Sequence, residues 1–253
     1  MDEIKAILFD LGETLLTFGK LSTTRLILQG ARSSHDFLRQ QGQPVGSFAG
    51  YFLRYLVRLR LRYFLAEFRG KDFDSLALLQ EVGRKEGIDL SRTEWEEVIW
   101  RWYEPLSVLA QIEPGLHETL AHLTESGLKL GIVSNTFVNR ASLDRQLADL
   151  GLLDFFPMRL YSYELAMRKP DPRLFHIAAE RIGEAPQNIL FVGDRIDLDA
   201  RPALDCGMAA AVKDAHTNRR RATPPGAHRI RHLAELPALI EQINTSATQL
   251  MST

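Results

Sequence analysis

Five short apolar runs, most of them separated by helix-like segments, dominate the hydropathy pattern of the chain. They are bounded by turn residues and cover residues 4–9, 128–133, 158–162, 189–192 and 208–212. Buried strands that alternate with crossover helices are typical of a parallel sheet with helices on both faces. The pattern therefore predicts an α/β fold with a doubly wound parallel sheet, in which ligands bind beyond the carboxyl ends of the strands.

A long and almost entirely helical segment separates the first two predicted strands. Its helices are expected over residues 22–40, 48–69 and 74–86, and a fourth begins at Ser91, with Glu94 in position for a capping box. The segment is far too long for one crossover connection. It is therefore predicted to be a helical cap domain inserted over the ligand edge of the sheet.

The same pattern divides the chain into three parts. The α/β core is expected to comprise residues 1–16 and 111–243, and the cap residues 17–110. Residues 244–253 are polar enough to be predicted as a disordered tail.

The composition adds a broad class and a compartment. With 253 residues, of which 45% are hydrophobic and 25% charged, the chain has the composition of a soluble globular protein. Its single cysteine, Cys206, cannot form an internal disulfide, so no oxidising compartment is required. The sequence shows no signal-peptide pattern and no apolar run of the roughly 18 residues that a membrane span needs. A cytoplasmic protein without membrane attachment is expected.

The net charge of −1 conceals a basic segment. Residues 20–70 contain nine Lys/Arg against two acidic residues, so the rest of the chain is acidic. A helix over 48–69 places four arginines on one stripe, opposite four apolar side chains (Arg54, Arg58, Arg62 and Arg69; Phe52, Leu56, Leu59 and Tyr63). We expect a solvated basic face, or one that meets an anionic substrate or an acidic partner. The balanced total charge and the lack of a binding motif argue against nucleic acid.

Carboxylates follow two of the predicted strands. Asp10 comes directly after the first strand and Asp194, preceded by a glycine, after the fourth. Either could be a local cap. Asp199 is expected to be a metal-site partner or the N-cap of the next helix, and the residue types alone leave both roles open.

Two further stretches place polar groups at strand ends or loops. Ser134 and Asn135 follow the second strand, where they could cap a helix or hold a phosphate oxygen. Lys169 and Asp171 each precede a proline, so they lie on a constrained extended loop, with Asp171 as the expected N-cap of the helix that begins at Pro172. Lys169 is either a solvated cation or the partner of a nucleophilic carboxylate and a phosphoryl group.

Together these four stretches resemble, in order, the motifs of the haloacid dehalogenase superfamily. The matching residues are the aspartate of FDLGETL, the SN after GIV, the lysine of RKPDP, and the GD with its later aspartate in GDRIDLD. The resemblance extends along most of the chain and implies a Rossmann-like core. The long interval between the first two motifs is similar to the subgroup with an inserted α-helical cap.

The resemblance implies a phosphatase mechanism. Asp10 would attack phosphorus and form an aspartyl-phosphate, and Ser134, Asn135 and Lys169 would hold the transferring oxygens. Mg²⁺ would be the cofactor, bound by Asp10, Asp194 and the backbone carbonyl of Gly12, with Asp199 in the same site. A small phosphorylated metabolite would be the substrate. The sequence leaves open whether the protein forms a homo-oligomer.

Gly12 departs from the family pattern, because phosphatases of this family usually have a second aspartate there. That residue protonates the leaving oxygen, a contribution of about 10² to 10⁴ in rate. Four explanations stay open: a good leaving group, a substitute acid from the cap or Glu13, different chemistry, or weak activity. A phosphate-binding or regulatory protein and a haloacid dehalogenase are the alternatives, although dehalogenases do not retain the Gly-Asp seen here at Gly193 and Asp194.

Overall fold

The computed structural model of the protein describes residues 3–19 and 22–251, which form a parallel sheet flanked by helices and a helical insertion. The sheet order is β3-β2-β1-β4-β5-β6, and every pairing is parallel. The strands are β1 (Ala6–Phe9), β2 (Lys129–Ser134), β3 (Met158–Tyr161), β4 (Ile189–Gly193), β5 (Ala209–Lys213) and β6 (Ala227–Ile230). The predicted α/β fold and its five strands are confirmed, and β6 was not predicted.

Ten helices occur in the described residues. In the cap segment they are α1 (Thr23–Gln40), α2 (Phe48–Arg69), α3 (Ser75–Lys85) and α4 (Arg92–Ser107). In the core they are α5 (Leu116–Glu125), α6 (Arg140–Asp149), α7 (Ser162–Leu165), α8 (Pro172–Ile182), α9 (Arg201–Asp205) and α10 (Leu236–Met251).

The sheet is buried on both faces, which is why its strands are apolar almost throughout. Ile7 and Phe9 of β1 pack in one cluster with side chains of α5, α6 and α10, whereas Ala6 and Leu8 pack on the opposite face with α8 and α9. This alternation follows from the two-residue period of a strand. The four side chains are all fully buried, so β1 lies at the centre of the core.

The cap helices have a core of their own. Buried side chains from α1, α2, α3 and α4 form a third cluster, separate from the two around the sheet. Two glycines allow α4 to approach its neighbours closely: a Cβ on Gly30 would lie 2.5 Å from the Trp102 carbonyl oxygen, and one on Gly83 2.2 Å from the Trp95 ring. Ser91 and Glu94 form the predicted capping box at the start of α4.

The segments that leave and re-enter the core pair with each other. Thr17 and Gln111 form an antiparallel bridge, in which each backbone N–H donates to the other residue's carbonyl at 2.8 and 2.9 Å. Glu113 then fixes the returning segment, because it accepts from the Leu233 N–H at 2.9 Å and pairs with the buried Lys213 at 2.8 Å.

The exposed face of α2 differs from the prediction. Arg54 and Arg62 lie 3.0 and 3.6 Å from Glu86 and Glu81 at α3, so these arginines pair with α3 instead of forming a free basic face. Apolar side chains are exposed instead: Leu53, Val57, Leu61, Tyr63, Phe64 and Phe68. The reason is that Tyr51 and Tyr55, one position before the predicted apolar stripe, are the buried side chains, which rotates the helix by about 100°.

The C-terminal helix also differs from the prediction. Residues 244–251, predicted to be disordered, belong to α10, and residues 252–253 lie outside the described part. Three polar side chains in residues 244–246 bond to the backbone: Thr245 and Ser246 donate to carbonyls four residues earlier, and Asn244 accepts from the Ile4 N–H at 2.9 Å. Within residues 3–19 and 22–251, no helix is long and apolar enough to cross a membrane.

Candidate active site

Asp10 lies at the carboxyl end of β1, where the sheet's connections change direction. β1 pairs with β2 on one side and β4 on the other, and the Asp10 N–H continues the pairing by donating to the Val192 carbonyl at 2.9 Å. Ends of parallel strands at such a switch point form the usual ligand crevice of an open α/β sheet. The loops after β2 and β4 therefore flank Asp10.

Three carboxylates meet at this edge. Asp10, Asp194 and Asp199 each place one oxygen within 4.8 Å of the others, and all three residues are buried. A Cβ on Gly193 would lie 2.3 Å from the Asp199 carboxylate, so only glycine lets this carboxylate pack against the end of β4. The Gly-Asp pair of the sequence thus has two roles: the aspartate enters the cluster, and the glycine makes room for Asp199.

Lys169 is the cation of the cluster. Its Nζ lies 2.7 Å from Asp10 Oδ1 and 2.6 Å from Asp199 Oδ1, and the residue is 2% exposed. Burial alone would lower the pKa of Lys169, but the charges of Asp10 and Asp199 outweigh burial and raise it above its usual value. The amine is therefore protonated at neutral pH and serves as a positive charge, not as a base.

Burial raises the pKa values of the Asp199 and Asp194 carboxyls, whereas an ion pair at the surface would lower them. Burial raises the pKa of Asp199 to about 7, with a further contribution from the charge of Asp10, while Lys169 opposes the shift. Burial, followed by the charge of Asp10, also raises the pKa of Asp194. With all three carboxyls ionised and one ammonium present, negative charge is in excess. A divalent cation would relieve this repulsion, and carboxylate oxygens are the ligands that Mg²⁺ prefers, so these residues fit that ion.

Asn135 holds the loop that carries Lys169. Its side chain donates to the Lys169 carbonyl at 3.0 Å and accepts from the Lys169 N–H at 2.8 Å. Ser134 is the last residue of β2, beside β1, and is buried. Neither residue is a helix cap, because α6 begins later, with Asn139 as its N-cap. Asp171 is the N-cap of α8, which confirms the prediction from the sequence.

Asp199 is not the N-cap of α9, because Ala200 occupies that position and no side chain caps the helix. It lies in a short π-helical turn at Ile196–Ala200, where its second oxygen accepts from the Arg195 N–H at 2.9 Å. The turn thus directs the carboxylate toward Lys169. Asp197 of the same turn is 41% exposed and pairs with arginines at the surface, outside the cluster.

Sequence reasoning missed three residues around Asp194. Thr14 donates to Asp194 Oδ1 at 3.5 Å, the Thr217 hydroxyl donates to Oδ2, and the Asn218 amide donates to the Asp194 carbonyl at 2.8 Å. Thr217 and Asn218 follow β5, two strands from β1 in the sheet order. Thr217 and Asn218 come four and five residues after the end of that apolar strand, and polar residues in such a loop were the available signal.

Gly12 leaves space at the edge of the site. A Cβ built on it meets no atom within 4 Å, and its backbone is outside the left-handed region. Glu13, the next residue, has φ 58°, and its carboxylate accepts from the Phe18 N–H at 3.3 Å and contacts His216 Nδ1 at 3.2 Å. Glu13 is not in the carboxylate cluster.

Comparison with known proteins decides the family. Residues 4–207 match the sequence model that describes haloacid dehalogenase-like hydrolases. The chain belongs to this family. The resemblance inferred from the four motifs is therefore confirmed, and the protein is a hydrolase of the haloacid dehalogenase (HAD) superfamily with a Rossmann-like core.

Similar proteins in this family include phosphatases and a dehalogenase. The glyceraldehyde 3-phosphate phosphatase of Methanopyrus kandleri is 28% identical over 205 residues, which are 81% of this chain and 82% of that protein. A HAD phosphatase from Thermococcus onnurineus has 27% identity and a TM-score of 0.59, over 94% of this chain and 98% of that one. A 2-haloacid dehalogenase from Pseudomonas syringae has 25% identity and a TM-score of 0.64, over 94% and 99%.

Proposed function

We propose that this HAD hydrolase is a Mg²⁺-dependent phosphatase that acts on a small phosphorylated molecule through Asp10. The observation that carries the proposal is the buried cluster of Asp10, Asp194 and Asp199, with Lys169 bonded to two of its members. The names of similar proteins support phosphate-ester chemistry, since glyceraldehyde 3-phosphate phosphatases and a phosphoserine phosphatase are among them.

Each residue has a distinct role in this proposal. Asp10 attacks phosphorus through the oxygen that Lys169 does not hold, the bond from phosphorus to the leaving-group oxygen breaks, and an aspartyl-phosphate forms. Water then cleaves this intermediate to inorganic phosphate and the free Asp10 carboxylate. Lys169 fixes the Asp10 carboxylate and balances the phosphoryl charge, while Ser134 donates to a phosphoryl oxygen. Asn135 contributes by bonding both the N–H and the carbonyl of Lys169, which positions the amine.

In this proposal Asp10, Asp194 and the Gly12 carbonyl would hold Mg²⁺, with Asp199 beside them. When bound, Mg²⁺ would neutralise the carboxylates and the phosphoryl oxygens. Thr14 and Thr217 hold the two oxygens of Asp194 and so orient it toward the site. Asp199, whose oxygens bond to Lys169 and Arg195, acts mainly by holding Lys169 in place.

The lack of an acid at Gly12 limits the leaving groups. Glu13 is engaged by Phe18 and His216, which argues against it as the substitute acid. Acyl phosphates and esters of acidic alcohols need little protonation of the leaving oxygen, so we propose that they are hydrolysed faster than alkyl esters.

A haloacid dehalogenase is the second candidate, because of the similarity to the Pseudomonas syringae enzyme. The buried Asp194, with its threonine and asparagine partners, argues against it, since dehalogenase chemistry needs no metal carboxylate there. A phosphate-binding protein without turnover is the third.

One experiment separates the three candidates. Hydrolysis of acetyl phosphate and p-nitrophenyl phosphate is measured with Mg²⁺ and with chelator, for the wild type, Asp10→Asn and Asp197→Asn. We expect Mg²⁺-dependent turnover that falls by roughly 10³-fold or more in Asp10→Asn. Asp197→Asn is the matched control, because Asp197 lies in the same turn as Asp199 but outside the cluster, and it should retain wild-type rates.

Two results would overturn the proposal. Phosphate binding without turnover of either compound would favour a binding protein. Metal-independent halide release from 2-chloropropionate would favour a dehalogenase.

A further inference from the structure

Glu13 and His216 form a contact between two loops at the carboxyl edge of the sheet. Glu13 lies in the segment after β1, and His216 lies in the loop after β5. The His216 Nδ1 atom is 3.2 Å from Glu13 Oε2. A carboxylate can only accept a hydrogen bond, so Nδ1 carries the hydrogen and is the donor. The contact therefore joins residues that are 203 positions apart in the sequence.

The other oxygen of Glu13 fixes the segment after β1. Glu13 Oε1 accepts from the Phe18 N–H at 3.3 Å, and the Glu13 N–H donates to the Leu16 carbonyl at 2.6 Å. Both carboxylate oxygens are thus used, one within this segment and one toward the loop after β5. The side chain of Glu13 consequently connects the segment after β1 to the loop that His216 belongs to.

The residue that follows each member of this pair holds the Asp194 carboxylate. Thr14, which follows Glu13, donates to Asp194 Oδ1 at 3.5 Å. Thr217, which follows His216, donates to Asp194 Oδ2. Neighbouring Cα atoms are only about 3.8 Å apart, so a shift of either loop at the pair moves the adjacent threonine. The contact between the two loops therefore bears on both oxygens of Asp194.

The backbone of Glu13 indicates a functional reason for this side chain. Its φ of 58° lies in the left-handed region, which glycine adopts far more readily than glutamate does. Residues with such strained backbones cluster at functional sites, where surrounding contacts compensate for the strain. The turn alone would favour glycine, so the glutamate is explained by what its carboxylate binds.

We propose that Glu13 and His216 are positioning residues for the metal ligand Asp194. They hold the segment after β1 against the loop after β5, which keeps Thr14 and Thr217 in place and orients the Asp194 carboxylate before Mg²⁺ binds. Partners that orient a ligand in this way raise the affinity of a site for its metal. The inference rests on the metal site of the proposed function, because it requires Asp194 to be a ligand of Mg²⁺.

Binding of Mg²⁺ to the substrate-free protein, measured by calorimetry, tests this inference without turnover. We expect Glu13→Gly and His216→Ala each to raise the Kd for Mg²⁺ about 10-fold, the lower end of the loss that follows removal of a residue supporting a metal ligand. Both variants should fold, since glycine suits the backbone at position 13 and the His216 side chain is 66% exposed.

The double variant distinguishes a pair from two independent residues. If Glu13 and His216 act through their contact, the variant with both changes should bind Mg²⁺ as Glu13→Gly alone does, whereas independent effects would multiply to about 100-fold. His216→Asn is the conservative variant, because its amide nitrogen can lie where Nδ1 lies and donate to Glu13. It should keep the wild-type Kd, which a general disturbance of the loop would not allow.

His122→Ala is the matched control for the removal of an imidazole. His122 is exposed near the end of α5, which leads into the amino end of β2, so it lies at the edge of the sheet opposite Asp10. This variant should bind Mg²⁺ with the wild-type Kd.

Three results would overturn the inference: wild-type affinity in Glu13→Gly or His216→Ala, a loss of about 100-fold in the double variant, or no Mg²⁺ binding by the wild type. With the first two results, the proposed function stands if the wild type hydrolyses acetyl phosphate with Mg²⁺. If the Kd values follow the expected pattern but no phosphate compound is hydrolysed, the proposed function fails and the role of the pair in metal binding stands.

Discussion

Gly12 lies two residues after Asp10, and the surrounding structure leaves room for a larger side chain. A Cβ there contacts nothing within 4 Å, and the backbone angle suits any residue. The glycine is therefore not required by the turn. In the proposed mechanism its effect is chemical, because the side chain that would protonate a leaving oxygen is missing.

Replacing Gly12 with aspartate tests this interpretation. We expect Gly12→Asp to raise the hydrolysis of ethyl phosphate by about 10²-fold, the lower end of what a general acid contributes. Acetyl phosphate hydrolysis should change little, since its leaving group needs no proton. Steady-state rates for both compounds are the measurement. Gly19→Asp adds the same charge at an exposed position with open space around it, and should behave as the wild type. An unchanged rate for ethyl phosphate in Gly12→Asp would contradict the account of this glycine.

The meeting of Asp10, Asp194 and Lys169 was expected from the resemblance of the four motifs to the HAD superfamily, whereas the residue types alone left Asp10 and Asp194 as possible caps and Lys169 as a possible solvated cation. The hydrogen-bond partners of Asp194 could not be predicted from the sequence. Thr217 and Asn218 reach it from the loop after β5, and no local pattern says which polar residue after a strand turns inward. Asn135 was predicted near the phosphoryl group, whereas its observed contacts are with the backbone of Lys169.

At the level of elements, the end of β4 shows why a strand and the following turn must fit together. Gly193 is the last residue of the strand, and the π-helical turn brings Asp199 back against it. The contact leaves no space for a methyl group, since a Cβ would lie 2.3 to 2.6 Å from three atoms of the Asp199 side chain. The position of Lys169 depends on the same contact through its bond to Asp199.

Gly193→Ala should therefore displace Asp199 and Lys169 together. We expect acetyl phosphate turnover to fall by about 10²-fold, the effect of a misplacement of roughly 1 Å at a reacting centre. The free energy of unfolding should fall by about 1 to 3 kcal/mol through overpacking. Enzyme kinetics and denaturant unfolding measure the two effects. Gly19→Ala is the control and should change neither; wild-type turnover in Gly193→Ala would contradict the proposed dependence on this contact.

Helix ends were easier to predict than helix faces. The capping box at Ser91 and the N-cap at Asp171 follow from local hydrogen bonding, so the sequence identifies them. The orientation of α2 does not follow from local hydrogen bonding, and its sequence does not identify the buried face, because aromatic and aliphatic residues lie all around this helix. Its buried face was decided by the packing of Tyr51 against Tyr55 and Trp102, which is a tertiary contact. β6 was missed because its sequence, AHRI, contains only two apolar residues.

For the whole molecule, the sequence indicates a core and a helical insertion, but not the cavity of about 290 Å³ that four cap helices and the loop after β2 surround. The order of strands and helices follows from apolar runs and turn residues, and the parallel sheet confirms it. The cap cavity arises where four helices and the loop after β2 meet. Its volume depends on how these elements pack, so no pattern along the chain reveals it.

The central claim is that segments far apart in the chain assemble around Asp10 as a nucleophile. Its most direct test is to trap the phosphorylated residue: the protein is incubated with Mg²⁺ and acetyl phosphate, quenched in acid and reduced with borohydride, which converts an aspartyl-phosphate to homoserine. Peptide mass spectrometry then locates the change. We expect homoserine at position 10, and none there when acetyl phosphate is omitted. Turnover with an unmodified Asp10, or homoserine at position 194 or 199 instead, would contradict the account.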